Sequence, residues 1–166
     1  MGHPQEPGIG HKAASLLADV LPGFDQLSLK ESGDARRLTA TFRINSKDRD
    51  FDFMDLSDGQ RQLIVLYTVL ESWRAGSFST LFIDEPDNFV SLREIQPWIE
   101  SLNEICDDED KQAIIISHHP EILNKMARGE ELWFSRQEGA HVITKPLPIV
   151  ADLTPAETVA RGWEDE

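Results

Sequence analysis

The stretch Leu81–Pro86, LFIDEP, determines how the rest of the chain is interpreted. An apolar run from Thr80 to Ile83 leads into two adjacent acids, which is typical of a buried parallel strand that presents carboxylates at its end. Asp84 can hold Mg²⁺ through water, because this hard cation prefers oxygen ligands. Glu85 can polarise an attacking water. A strand that merely ends in solvated acids would show the same pattern.

The segments around this stretch predict an α/β fold. An apolar helix is expected around Leu63–Trp73, and a helix over Leu92–Cys106 separates the first strand from a second buried strand, Ala113–Ile116. A helix opened by Pro120 and a hairpin that turns near Gly139 follow. Such alternation of helices and short apolar strands implies a parallel sheet with flanking helices. A last helix is expected at Thr154–Arg161, with Thr154 as its N-cap.

The residues before the α/β part predict a different kind of structure. Residues 1–10 hold two prolines and three glycines and are expected to form a flexible lead-in, which leaves 11–166 as one lobe. A short helix over His11–Leu21 is expected to end at Pro22-Gly23. Three short strands, which predict a small antiparallel β segment, lie at Phe24–Leu29, Leu38–Ile44 and Arg49–Met54.

Two further polar clusters lie at the ends of predicted elements. Leu56–Gln60, LSDGQ, directly precedes the apolar helix, and a hydroxyl, a glycine and free amides at a helix N-terminus form an anion site. An ordinary N-cap by Ser57 or Asp58 explains the same residues. Ser117-His118-His119 follows the second strand, where a histidine can donate a hydrogen bond to a phosphate oxygen. A histidine satisfied by nearby backbone is the alternative there.

In order and spacing, the three clusters together resemble the signature, Walker B and switch-histidine motifs of ABC-type ATPases. Ser57 precedes Asp84 by 27 residues, and Asp84 precedes His118 by 34. LSDGQ is similar to the LSGGQ signature with aspartate in its third place. The chain is most similar to RecF-like and OLD-like AAA ATPases, which are relatives of SMC heads, over roughly residues 20–163. The fold that this implies is the C-terminal part of a P-loop NTPase head.

The resemblance implies ATP and Mg²⁺ as cofactors and assigns roles to the residues after the strands. Asp84 would hold Mg²⁺ through its water shell, and Glu85 would be the general base that activates the hydrolytic water. His118 would contact the γ-phosphate. His119 is the weaker candidate, because the family pattern places the histidine two residues before the proline.

The resemblance also implies a second ATPase head as partner. Ser57 and Gly59, within a cofactor-binding set that includes Asp58 and Gln60, would touch the γ-phosphate of ATP bound to the opposite head. Hydrolysis would then depend on a dimer. Asp58 departs from the usual signature, and its side chain is expected to point away and cap the helix. Ser91 stands where related proteins carry an aspartate that crosses the dimer interface.

The sequence lacks a phosphate loop, G-x-x-x-x-G-K-[ST], whose amides and lysine would wrap the β- and γ-phosphates. The nearest segment, Gly8–Lys12, fails in spacing and in the residue after the lysine. The chain alone is therefore expected to bind ATP weakly or not at all. Three interpretations stay open: a C-terminal lobe whose Walker A lobe lies upstream or on another chain, a non-catalytic module that docks its signature loop on a partner ATPase, and an inert truncated fragment.

Charge and composition limit the classes of partner that this chain is expected to bind. With 30 acidic and 16 basic residues the net charge is −14, which disfavours a broad contact with nucleic acid or an anionic membrane. Any DNA, toxin or nuclease partner would act through parts that this sequence does not contain. Cys106 is the single cysteine, and no apolar run is long enough to span a membrane. A cytoplasmic location is expected.

Overall fold

The chain is described from a computed structural model. The described residues are 10–33, 35–107, 110–127, 129, 131–137, 141–148 and 150–162. The predicted lead-in, apart from residue 10, and the predicted hairpin turn near Gly139 lie outside them. The chain divides into two compact units, Met1–Ile115 and Ile116–Glu166.

The first unit begins with a helix and an antiparallel sheet. The elements are α1 (Gly10–Val20), β1 (Phe24–Ser32), β2 (Ala35–Ile44) and β3 (Lys47–Asp52), with strand order β1-β2-β3. Phe42 lies between two aromatic neighbours across the sheet, with its ring centroid 5.6 Å from that of Phe24 and 5.7 Å from that of Phe51, both edge to face. The predicted antiparallel segment is confirmed.

The turn between β2 and β3 differs from the prediction. Asn45 and Ser46 form a two-residue loop with φ values of 51° and 61°, the left-handed conformation that matches the twist of a tight hairpin. The third strand therefore begins at Lys47 rather than Arg49. It also ends earlier, because Phe53–Asp55 forms a single 3₁₀ turn that the Asp52 carboxylate caps by accepting from the Met54 amide at 3.0 Å.

The α/β part of the first unit follows in the predicted order, and its last strand ends on the first residue of the second unit. Its elements are α2 (Asp58–Arg74), β4 (Thr80–Asp84), α3 (Leu92–Cys106) and β5 (Gln112–Ile116). The indole N–H of Trp98 donates to the Leu66 carbonyl at 3.1 Å, which joins α3 to α2. The indole N–H of Trp73 donates to the Ser79 carbonyl at 3.1 Å, just before β4. Both indoles are fully buried, so these helices form the centre of the core.

β4 and β5 pair as the predicted parallel strands, but the prediction that they are buried is wrong for one face. Leu81 is 4% exposed, whereas its neighbour Phe82 is 63% exposed and Ile114 on β5 is 42% exposed. Because side chains alternate between the two faces of a strand, one face of the pair is covered and the other is open. Phe82 and Ile114 are called the open sheet face below.

The second unit contains two short helices and a hairpin. Its elements are α4 (Pro120–Met126), β6 (Leu132–Gln137), β7 (His141–Pro146) and α5 (Pro155–Ala160), and β6 pairs with β7 antiparallel. Thr154 caps α5 as predicted, with its hydroxyl accepting from the Glu157 amide at 3.2 Å. The Asn124 side chain of α4 accepts from the Ala156 amide at 3.0 Å and so joins the two helices.

Among the described residues, every helix is too short or too polar to cross a lipid bilayer.

Candidate functional site

Leu56–Gln60, the segment predicted to be the signature, leads into α2 and forms its first turn. Ser57 is the N-cap: its Oγ accepts from the Gln60 amide at 3.3 Å, and the Gln60 side-chain oxygen accepts from the Ser57 amide at 3.1 Å. This reciprocal pair is a capping box. The N-cap interpretation is therefore correct for Ser57. The cap uses the hydroxyl as an acceptor, so its proton can still be donated to an anion.

Asp58 does not cap the helix, which corrects the prediction. Ser57 occupies that position, and Asp58 instead pairs with Arg61, one turn further along α2. The Asp58 side chain is 57% exposed, so the pair lies at the surface, where such interactions are weak. The guanidinium of Arg61 nevertheless offsets part of the negative charge that Asp58 adds beside the candidate phosphate site.

Gly59 is packed against the loop that follows β4. A Cβ built on Gly59 would lie 2.5 Å from the carbonyl oxygen of Phe89, a separation that real side chains do not adopt. One turn later, the Gln62 side-chain N–H donates to the Pro86 carbonyl at 3.3 Å. The absence of a side chain at Gly59 is thus required by contact within the chain, whereas its predicted approach to a phosphate stays a prediction.

The two acids lie at the carboxyl end of β4, as predicted. Asp84 is the last residue of the strand and is exposed, and Glu85 is half-buried with a left-handed φ of 48°. A residue other than glycine in this conformation costs about 1–3 kcal/mol, and such residues recur both at turns and at functional sites. The turn at Glu85 therefore directs the second carboxylate away from the regular course of the strand.

Asp84 and Glu85 have the donor chemistry that Mg²⁺ requires. The described residues contain no group of three or more histidine, cysteine or acidic side chains that could enclose a metal ion. A closed protein cage is not needed for Mg²⁺, which usually keeps several waters and takes one or two carboxylates together with substrate phosphates. An ion held by Asp84 and partly by nucleotide would fit this donor set.

The two histidines lie directly after β5, in the second unit. His119 is the N-cap of α4: its Nδ1 accepts from the Glu121 amide at 3.2 Å. The His119 amide in turn donates to the Ser117 hydroxyl at 3.0 Å. His118 is exposed. The backbone-satisfied interpretation therefore holds for His119, and His118 stays the candidate for the γ-phosphate.

Ser91, which stands in place of the aspartate expected from the resemblance, has a structural role that the sequence pattern could have predicted. Ser91 is the N-cap residue of α3, and the Glu94 carboxylate accepts from its amide at 3.0 Å. Ser-x-x-Glu before an apolar helix is the signature of a capping box. The contacts of Gly59 and Gln62 with the loop after β4 had no such signal, because they join residues 30 and 24 positions apart that only the tertiary fold brings together.

Comparison with solved structures identifies the fold. An SMC ATPase described for ATP-driven dimerisation and DNA-stimulated activation matches over 95% of this chain and 89% of its own, with 14% identity and a TM-score of 0.64. The SMC head with coiled coil and joint from Pyrococcus yayanosii matches 95% of this chain at 18% identity and a TM-score of 0.69. The ScpA-bound SMC head from Pyrococcus furiosus matches the same share at 16% identity and a TM-score of 0.63.

The chain spans only 28% and 37% of the two Pyrococcus heads, but nearly the whole of the first SMC chain. At these identities the likeness shows the fold, which is that of an ABC/AAA-type ATPase head. No curated protein sequence matched. The family model described as "AAA domain, putative AbiEii toxin, Type IV TA system" matches residues 2–124, which is most of the chain. The chain belongs to this AAA-domain family.

Proposed function

We propose that this chain is the C-terminal lobe of an ATP-hydrolysing head and that it acts together with a lobe that carries the phosphate loop. It supplies the signature segment, the Walker B acids and the switch histidine. The lobe with the phosphate loop either precedes this segment on a longer chain or is a separate polypeptide. Two such heads form the working dimer.

The open sheet face is the observation that carries this proposal. Parallel strands occur almost only in sheets whose two faces are both covered, yet Phe82 and Ile114 are 63% and 42% exposed on neighbouring strands. Asp84 lies two residues after Phe82 and therefore on the same side of β4. A further layer placed there would adjoin the candidate metal-binding carboxylate. A phosphate loop, which joins a strand to a helix, would supply both a layer and the nucleotide cradle.

The matched SMC ATPase chain supports this division. The present chain covers 89% of the matched SMC chain, so the two polypeptides have nearly the same extent. The matched chain is from work on the ATP-driven dimerisation of SMC ATPases. The ATP dependence of that dimerisation is consistent with a site shared between two heads. DNA-stimulated activation is described for SMC ATPases. A direct contact with DNA is less suited to this lobe because its net charge is −14.

The chemistry assigned to the lobe is attack of water on the γ-phosphorus of ATP, with ADP as the leaving group. Glu85 orients the water and accepts its proton as the new P–O bond forms. His118 donates a hydrogen bond to a γ-phosphate oxygen. Asp84 would hold Mg²⁺, which would supply positive charge beside the phosphates. Ser57 and the first amides of α2 donate to the γ-phosphate held by the opposite head. Most of the rate gain comes from positioning and charge stabilisation.

Reconstitution tests this function. ATP hydrolysis is measured for the chain alone, for the chain mixed with a polypeptide that carries strand–GxxxxGK[ST]–helix, and for the same mixture with Glu85→Gln. The chain alone is expected to be inactive, the mixture active, and the Glu85→Gln mixture reduced by about 100-fold or more. Glu104→Gln, at an exposed acid of α3, is the matched control and leaves the rate unchanged.

Three results would contradict parts of the proposal. Turnover by the chain alone would show that the phosphate loop is not needed. Restored activity that survives Glu85→Gln would remove Glu85 from its role as base. A mixture that binds ATP and dimerises but never hydrolyses it would favour the non-catalytic docking module.

A further inference from the structure

We propose that Gln62 is a positioning residue that fastens the loop carrying Glu85 to the first turns of α2, so that the signature segment and the candidate base of one chain move as a single piece. The loop is defined as Glu85–Ser91. The positioning role in hydrolysis rests on the proposed function, whereas the fastening itself is a property of this chain alone.

Two contacts on one face of α2 hold the loop. Gly59 and Gln62 are three residues apart and so lie on the same side of the helix. The Gln62 side-chain N–H donates to the Pro86 carbonyl at 3.3 Å, and the backbone of Gly59 meets the Phe89 carbonyl so closely that a Cβ would be 2.5 Å from it. The loop is therefore held near both of its ends by the segment that contains the signature glycine.

The loop needs such support because its backbone is strained. Glu85 and Phe89 have left-handed φ values of 48° and 65°, each of which costs about 1–3 kcal/mol for a residue with a side chain. Within the loop, the Asn88 amide donates to the Glu85 carbonyl and the Val90 amide to the Asp87 carbonyl, both at 3.2 Å. Two consecutive turns do not by themselves fix the loop against the rest of the chain.

Pro86 makes the Gln62 contact more important. Its side chain is fully buried and its nitrogen carries no proton, so the carbonyl is its only backbone polar group. Gln62 donates to this carbonyl from a partly buried position. A buried acceptor that loses its donor destabilises the local structure by about 1–3 kcal/mol. Removing the Gln62 donor would therefore destabilise the backbone at Pro86, the residue next to Glu85.

The consequence is a link between two nucleotide sites. In the proposed dimer, Ser57 and Gly59 contact ATP held by the opposite head, whereas Glu85 acts on ATP held by its own head. A phosphate that engages the start of α2 would act on the same helix turns that fasten the Glu85 loop. Gln62 itself touches neither nucleotide, so it positions the base and is not a catalytic residue.

Hydrogen exchange on the isolated chain tests the fastening directly. Gln62→Met keeps the length of the side chain and removes the donor, Gln62→Lys keeps a donor, and Gln26→Met makes the same change at an exposed position of β1. In Gln62→Met, exchange of the Asn88 and Val90 amides should rise about tenfold, the equivalent of one hydrogen bond. Exchange in Gln62→Lys should stay close to that of the wild type, and exchange in Gln26→Met should equal that of the wild type.

Equal exchange at Asn88 and Val90 in the wild type and Gln62→Met would overturn the proposal, as would equal exchange in the Met and Lys variants. The reconstituted ATPase then tests positioning. Gln62→Met should lower kcat about tenfold at unchanged KM for ATP, because it loosens the base and not the nucleotide. A raised KM with unchanged kcat contradicts positioning. An inactive wild-type mixture refutes the proposed function, while the exchange result still decides the fastening.

Discussion

The two sheets of the first unit differ in whether the face opposite the buried apolar one carries polar or apolar side chains. In the antiparallel sheet, Ala40 and Phe42 are buried on one face. The other face is polar: Thr41 is only 3% exposed and its hydroxyl donates to Asp50 at 2.7 Å, while the Arg43–Asp48 ion pair, at 2.9 Å, lies at the surface. In the parallel pair, the face opposite the core carries Phe82 and Ile114. An antiparallel sheet with one polar face can leave that face in contact with water, whereas a parallel pair with two apolar faces requires another layer to cover the second face.

The largest effect expected from this comparison is on stability. Trp98 of α3 is fully buried and hydrogen-bonded to the Leu66 carbonyl, so Trp98→Ala should lower the free energy of unfolding by about 3–5 kcal/mol. Phe82→Ala, on the open sheet face, should lower it by less than about 1 kcal/mol. Urea denaturation of the isolated chain measures both. Similar losses in the two variants would show that Phe82 is covered in solution.

A smaller effect reports whether water reaches the buried side of α2. Tyr67 of α2 is 1% exposed, and its hydroxyl has no hydrogen-bond partner among the described residues. Burial, with a smaller contribution from Asp19, raises the pKa of Tyr67 from its usual 10.0 to about 12. Between these values the unfolded chain loses the phenolic proton first, so the folded protein loses stability as pH rises.

Tyr67→Phe removes both the unpaired hydroxyl and this titration. At pH 7 the free energy of unfolding should be equal to that of the wild type or up to about 1 kcal/mol higher. From pH 10 to 12 the wild type should become progressively less stable than the variant. Urea denaturation across this pH range measures the difference. Parallel pH profiles would mean that Tyr67 is hydrated in the folded state.

Elements with strong local patterns could be predicted from the sequence. The apolar periodicity of α2 and α3, the two apolar runs that form β4 and β5, and the Thr154-Pro155 cap of α5 all appear where the pattern placed them. Asn45-Ser46 was missed because neither residue is glycine, the usual sign of such a turn. Ser57 and Asp58 are adjacent cap candidates, and only the Gln60 side chain distinguishes them.

Features that depend on distant segments could not be predicted. An apolar strand has the same sequence whether its second face is covered by the chain itself or by another lobe, so the exposure of Phe82 and Ile114 appears only in the fold. Gly59 is interpreted from sequence as space for a phosphate, whereas the structure shows the Phe89 carbonyl in contact with it. The order of the three motifs indicated the family, and tertiary contacts show how two of them are joined.

The most direct test of the central claim, that a phosphate-loop lobe covers the open sheet face, is an association measurement. Phe82→Asp and Leu29→Asp place the same charge at residues that are 63% and 64% exposed, one on the open sheet face and one on the antiparallel sheet. Binding of each variant to a polypeptide carrying the phosphate loop is measured by isothermal titration calorimetry. Phe82→Asp should weaken binding at least 100-fold, about 2.7 kcal/mol, and Leu29→Asp should leave it unchanged. Equal binding by both variants would contradict the account.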